Sequence, residues 1–298
     1  MVDRDGYIPG VPCWVAANEP DPEAALPFYG GLFGWEFREV TPPDASGKYF
    51  IAQLRDGDVA GVAPLPEGAP PMAVWSTYIW VDSADETAAT VEAAGGKTIT
   101  PPFDVMDAGR MAVFADPEGA VFCVWQANRH KGANVVNEHG ALNFNGLGTR
   151  DPEAAKSFYG SVFGWETLDL GNFQAWTLPG YAEFLEQREP GLRERMKEGG
   201  APAGFEDVVA AINPIGDDQP ETPPHWSVTF AVDDADAAAA KGYELGGKVV
   251  APPFDAPWVR MTVLTDPQGA MFIASQFVPE NANLGSEQPA AGQAAPSS

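Results

Sequence analysis

The residues of this chain that could do chemistry are three histidines, two cysteines and a set of tryptophans and tyrosines. The histidines, His130, His139 and His225, are scattered along 298 residues, and no metal-ligand helix joins them. They give no site of the zinc or iron kind, which needs several imidazole, thiolate or carboxylate donors together. Cys13 and Cys123 are too few for a disulfide framework. Nothing marks a histidine base beside Cys123, so a nucleophilic thiol is not indicated. There is no Gly-rich phosphate loop and no nucleophile elbow. What remains is aromatic: Trp14, Tyr78, Trp80 and Trp125. Brought onto one surface, such rings sandwich a flat or cationic ligand, at roughly 0.5–2 kcal/mol each.

Those residues are positioned by a repeat. The segment Asp21 to Glu36 returns as Asp151 to Glu166, displaced by 130 residues, with twelve of sixteen positions identical. A second doubled phrase joins Trp75-Ser76, Val81-Asp82 and Ala84-Asp85 to Trp226-Ser227, Val232-Asp233 and Ala235-Asp236. It continues through Gly95-Gly96-Lys97 and Gly246-Gly247-Lys248 to the Asp116-Pro-x-Gly and Asp266-Pro-x-Gly turns. Duplication at this scale organises the whole chain.

Asp21-Pro22 is a helix N-cap followed by proline at the first helical position, and Gly34 is the stop. Strands are expected at 12–17, near 37–40, 49–54 and 59–63, and then from Trp75 to Val81. A second helix runs from Ser83 to Ala94, and strands follow near 97–100, 111–115 and 121–126. Each half is thus strand–helix–three strands, performed twice. The expected fold is α+β: two tandem domains, each a pair of βαβββ modules forming an incompletely closed eight-stranded barrel.

The first domain spans 1–128, a linker 129–139, the second domain 140–279, and a disordered tail 280–298. The second copy carries extra residues near 179–202, an insertion that either lids a cavity or makes a surface or dimer contact. Arg110 and Arg260 fall at equivalent positions and are expected to pair with Asp104 and Asp255.

Net charge is −25, which repels phosphate backbones and anionic lipid, so neither nucleic acid nor membrane is an expected partner. With no long apolar run and no basic-then-apolar N-terminus, a cytoplasmic monomer or homodimer is expected.

The helix motif Asp-Pro-Glu-Ala-Ala…Phe-Tyr…Phe-Gly-Trp, the Val-Asp-x-Ala-Asp…Gly-Gly-Lys unit and the Asp-Pro-x-Gly turn resemble the vicinal oxygen chelate superfamily. That superfamily includes glyoxalase, bleomycin-resistance proteins, extradiol dioxygenases and fosfomycin-resistance enzymes. The resemblance covers about residues 8–128 and 140–278. It implies curved sheets enclosing a cavity, with metal ligands on inward positions. Those positions are Trp14 and Phe144, Ser76 and Ser227, Cys123 and Ile273, and a place near Gly61. None is a histidine, aspartate or glutamate, so no metal and no cofactor is expected.

Strand alternation then places Ser76, Tyr78 and Trp80, and Val121, Cys123 and Trp125, on the inward face beside Trp14. In the second domain the same positions are Phe144, Gly146, Ser227, Thr229, Ala231, Met271, Ile273 and Ser275, with smaller walls. The expected ligand-binding residues are Trp14, Ser76, Tyr78, Trp80, Cys123, Trp125, Phe144, Ser227, Thr229 and Ser275. Catalytic residues are not assigned. The reading is a metal-independent small-molecule-binding protein with an aromatic cavity in its first domain. One alternative is a glyoxalase-like lyase, or a hydroxylase- or dioxygenase-like enzyme, with a non-standard metal site drawn from Glu183, Glu186 or His225. The other is a structural or signalling protein with filled cavities.

Overall fold

A computed structural model of the chain describes residues 4–41, 47–68, 70–171 and 173–284. The first half runs β1 (Pro12–Glu19), α1 (Pro22–Phe33), β2 (Glu36–Glu39), β3 (Phe50–Leu54) and β4 (Gly57–Pro64). Its second module follows as β5 (Val74–Trp80), α2 (Ala84–Ala93), β6 (Lys97–Val105), β7 (Gly109–Ala115) and β8 (Val121–Ala127). The second half repeats this as β9 (Leu142–Thr149), α3 (Pro152–Phe163), β10 (Glu166–Asp169) and β11 (Gln174–Thr177). After α4 (Tyr181–Arg188) and α5 (Leu192–Glu198) come β12 (Val208–Pro214), β13 (His225–Ala231) and α6 (Ala235–Glu244). It closes with β14 (Lys248–Ala256), β15 (Val259–Thr265) and β16 (Met271–Phe277).

The helix ends follow from local chemistry. The Asp21 carboxylate accepts from the Ala24 N–H, Pro22 occupies the first turn, and Gly34 at φ 73° ends α1 in the left-handed region. Asp151 and Gly164 do the same for α3. Ser83 caps α2 and Asp234 caps α6.

Each half forms one eight-stranded sheet, in the order β2-β3-β4-β1-β5-β8-β7-β6 and its equivalent β10-β11-β12-β9-β13-β16-β15-β14. The edge strands do not pair, so neither barrel closes. Both sheets hinge on a central antiparallel pair, β1 with β5 and β9 with β13.

The helix-facing cores are shared between the halves. Phe33 of α1 lies 5.0 Å from Phe230, and Phe28 lies 6.2 Å from Phe272, in the opposite half. Reciprocally, Tyr159 of α3 lies 5.7 Å from Phe122. The Tyr29 hydroxyl donates to Asp266 at 3.2 Å, and the Tyr159 hydroxyl to Asp116 at 3.1 Å. Trp35 Nε1 donates to the Gly140 carbonyl at 2.7 Å, and Trp165 Nε1 to the Gly10 carbonyl at 2.8 Å. The repeated Phe-Tyr…Phe-Gly-Trp phrase is therefore an interface: each copy docks on the other copy's Asp-Pro-x-Gly turn. Each fully buried ring contributes about 1.5–3 kcal/mol, enough in sum to hold the two halves as one body.

Arg110 meets Asp104 at 3.0 Å and also grips Asp85 through Nε at 2.8 Å and Nη2 at 3.0 Å. Arg260 repeats the arrangement with Asp255 and Asp236. Each guanidinium thus ties the module's helix start to its edge strand.

The insertion folds as α4 and α5, and it docks against the N-terminal residues of the first half. Arg4 lies between the Tyr7 and Tyr181 rings, 5.1 and 6.0 Å from their centres, and donates to the Tyr181 hydroxyl at 2.9 Å. The expected tail begins with order, because Pro279–Asn283 forms a 3₁₀ helix. Residues 285–298 lie outside the described residues. Among the described residues no helix is long and apolar enough to cross a membrane.

Candidate functional site

Directly opposed residues on neighbouring strands point to the same side of a sheet. In the first half Trp14 stands opposite Tyr78, Tyr78 opposite Cys123, and Trp80 opposite Trp125. The four rings and the thiol come together on the concave face. A bulge between Pro12 and Trp14 shifts the register, so Pro12 pairs with Ile79 and leaves that face.

This face carries a lid of the protein's own making. The His130 ring, from the expected linker, stands edge-on 4.4 Å from Trp14 and 5.7 Å from Trp125. Trp125 Nε1 donates to the His130 carbonyl at 3.0 Å, and Trp14 Nε1 to the Tyr49 hydroxyl at 3.3 Å. The Ala133 N–H donates to the Cys13 carbonyl at 2.8 Å, and the Tyr7 hydroxyl donates to the Ala133 carbonyl at 2.8 Å. Gly132 permits this approach at φ +83°, where a Cβ would stand 2.6 Å from the Cys13 carbonyl oxygen. Trp14, Tyr78, Cys123 and Trp125 are buried, whereas Ser76 and Trp80 are half-buried. Ser76 accepts from Asn18 Nδ2 at 2.9 Å.

Both cysteines are free and buried. Burial pushes the Cys123 thiol up to about 12, against smaller lowering effects from the Tyr78 and Ser76 hydroxyls. A thiol so placed is not a nucleophile at neutral pH. Burial also lowers the pKa of His130, against a smaller opposing effect from Asp58 at 3.8 Å.

The second half leaves the same face open. Phe144, Gly146 and Gly148 lie on this face of β9, and the missing side chains at the two glycines make room for their cross-strand neighbours. One row across three strands is Asn213, Gly148 and His225; the next is Ala211, Gly146 and Ser227. A Cβ on Gly146 would lie 2.5 Å from Asn213 Nδ2 and 3.1 Å from Ser227 Oγ, so both polar groups lean over it. A cavity of about 200 Å³ sits here, its walls including Asn213, His225, Ser227, Val263, Met271 and Ile273. The Ser227 hydroxyl donates to the Gly146 carbonyl at 3.1 Å. Phe144, Thr229 and Ser275 lie further along the same face: Thr229 is opposite Phe144 and Ile273, and Ser275 is opposite Ala231.

Of the ten expected site residues, six therefore sit around the covered face and four on the open one, where only Ser227 lines the cavity. The sequence pattern does not point to Asn213, and it offers His225 only as a metal ligand. The signal that could have found both is the Gly146-Leu-Gly148 alternation, which clears space beside them.

The donor set does not fit the metal implied by the fold. The ligand positions on the open face hold Phe144, Ser227 and Ile273, leaving one hydroxyl. Among the described residues no three histidine, cysteine, aspartate or glutamate side chains gather. Glu183 is paired with Arg193 at 2.9 Å, and Glu186 accepts from the Gly191 and Arg193 N–H groups in the insertion.

The family model of the Glyoxalase/Bleomycin resistance protein/Dioxygenase superfamily matches residues 13–124 and 141–273. The protein named "Putative glyoxylase CFP32" of Mycobacterium tuberculosis is 40% identical over 283 residues, covering 94% of this chain and 100% of that protein. The "Anthracycline biosynthesis protein DnrV" of Streptomyces peucetius is 35% identical over 280 residues, covering 89% of this chain and 93% of that protein. Among solved structures, the Mn(II)-bound glyoxalase from Novosphingobium aromaticivorans superposes with a TM-score of 0.57 at 18% identity. The match covers 90% of this chain and 83% of that one. At that identity it shows the fold alone.

Proposed function

From the premise that the chain belongs to the glyoxalase/bleomycin resistance protein/dioxygenase superfamily, we propose that it binds a planar aromatic small molecule on the open face of its second domain. It does so with protein side chains and no metal. One observation carries the reading: of two duplicated concave faces, one is filled by Trp14, Tyr78, Trp125 and His130, and the other keeps a cavity of about 200 Å³ walled by Asn213, His225, Ser227, Val263, Met271 and Ile273. A flat ring system would pack against the apolar wall of Val263, Met271 and Ile273, with Asn213, His225 and Ser227 at its polar edge. The name of the Streptomyces relative, an anthracycline biosynthesis protein, supports a fused-ring aromatic as the ligand class.

Isothermal titration with a water-soluble anthraquinone tests this, on wild type and on Gly146→Leu. The larger side chain would displace the end of Asn213, not backbone, so the fold should survive while the cavity fills. Wild type should saturate at one ligand per chain and the variant should lose binding by about tenfold or more. Equal binding by the two proteins would refute the assignment.

A further inference from the structure

Resting on that reading, a finer specificity follows from the ring of His225. Its Nδ1 is 2.9 Å from the Pro223 carbonyl oxygen. A carbonyl can only accept, so Nδ1 carries the proton and donates. Neutral imidazole has one N–H, and Nε2 is therefore a bare acceptor. Among the described residues nothing donates to it. The ring is parked over Gly148, where a Cβ would stand 2.9 Å from Cε1 and 3.1 Å from Nδ1. Any larger residue at 148 would push the imidazole away. His225 stands in the cavity wall together with Asn213 and Ser227.

The other two polar groups are differently committed. The Ser227 hydroxyl already donates its hydrogen bond to the Gly146 carbonyl, so its oxygen is left only as an acceptor. The Asn213 side chain makes no hydrogen bond among the described residues, and its amide nitrogen leans over Gly146. The cavity thus offers two acceptors on the β13 side and an amide on the β12 side. Such a set matches a ligand that donates on one edge. We infer that His225 selects aromatic ligands bearing a free ring hydroxyl, a phenol or naphthol, by accepting a hydrogen bond from that hydroxyl at Nε2. A ligand whose hydroxyl is methylated would bury both Nε2 and the Ser227 oxygen without a donor, which is the costly outcome for a polar site.

The test pairs β-naphthol with its methyl ether, which keep the same rings and differ by the donor. Titrations at neutral pH use wild type, His225→Phe and His225→Gln, with Gly146→Leu as the blocked site. Circular dichroism confirms that each variant is folded. Wild type should prefer β-naphthol by about tenfold. His225→Phe should erase the preference while still binding the ether, and His225→Gln, which keeps an acceptor, should restore part of it. Equal affinity of wild type for both ligands, or a preference that survives in His225→Phe, overturns the inference and leaves the binding reading standing. Failure of wild type to bind either ligand, or binding undiminished in Gly146→Leu, overturns the binding reading and this inference with it.

Discussion

Glu19 offers a perturbation whose size can be worked out from the structure. It ends β1 fully buried at the seam between the halves, and neither carboxyl oxygen has a hydrogen-bond partner. Its neighbour Asp266 is well provided for: Oδ1 accepts from the Gln268, Gly269 and Ala270 N–H groups at 2.8–2.9 Å, and Oδ2 accepts from Tyr29. Of the two carboxyls, Glu19 is the one left without a donor and is the one that keeps its proton. Burial first, and then Asp266, pushes Glu19 up to about 9. In the unfolded chain it would titrate near 4.3.

Between those values the folded state holds a proton that the unfolded state has released. Stability contributed by Glu19 is therefore fully present below about pH 4.3 and is lost, at about 1.4 kcal/mol per pH unit, as pH rises toward 9. By pH 7 the accumulated loss is about 3–4 kcal/mol. Glu19→Gln keeps the shape and cannot ionise. It should be more stable than wild type at pH 7 by about 2–3 kcal/mol, after discounting an imperfectly bonded amide. The gap should widen at about pH 8.5 and close near pH 4.5. Urea unfolding midpoints at those three pH values measure it. A variant that is no more stable than wild type at any of them, or whose stability shows the same pH slope, refutes the argument.

Further outcomes follow from the covered face. Gly132→Ala should destabilise the fold by about 1–3 kcal/mol, through its left-handed φ and the Cys13 carbonyl beside it, measured by thermal or urea unfolding. Trp14→Ala should cost about 3–5 kcal/mol of stability and leave anthraquinone affinity unchanged, which calorimetry and titration separate. Cys123, with its thiol pushed up to about 12, should resist iodoacetamide at pH 7–8 in the folded protein and react after unfolding, followed by mass spectrometry.

The fold was largely legible because duplication let each half check the other. Asp21, Pro22 and Gly34 announce a helix, and Asp116-Pro-Glu-Gly119 announces a turn, through interactions a few residues apart. Alternation in β5 and β8 put Tyr78, Cys123 and Trp125 on one face, as the register has them. The pairing of Arg110 with Asp104 could be anticipated because an edge hairpin brings them together; its bidentate hold on Asp85, across the module, could not.

What stayed hidden were contacts made over long separations. The stretch that reads as a linker has little apolar periodicity, yet His130 and Ala133 reach back to Trp14 and Cys13 and cover the aromatic face. Local pattern carries no trace of that return. The insertion's docking on Arg4 and Tyr7 is equally non-local. The placing of Asn213 and His225 depends on the absence of side chains at Gly146 and Gly148, and glycine in a strand has several other uses.

The most direct test of the account is anthraquinone titration of the full chain after exhaustive chelation, repeated with Mn, Fe, Zn or Ni added, and with metal content measured in parallel. The account predicts one saturable site per chain, with the same affinity with and without metal and no stoichiometric metal retained. Binding that appears only when a metal is restored, or one tightly held metal per chain, would contradict it.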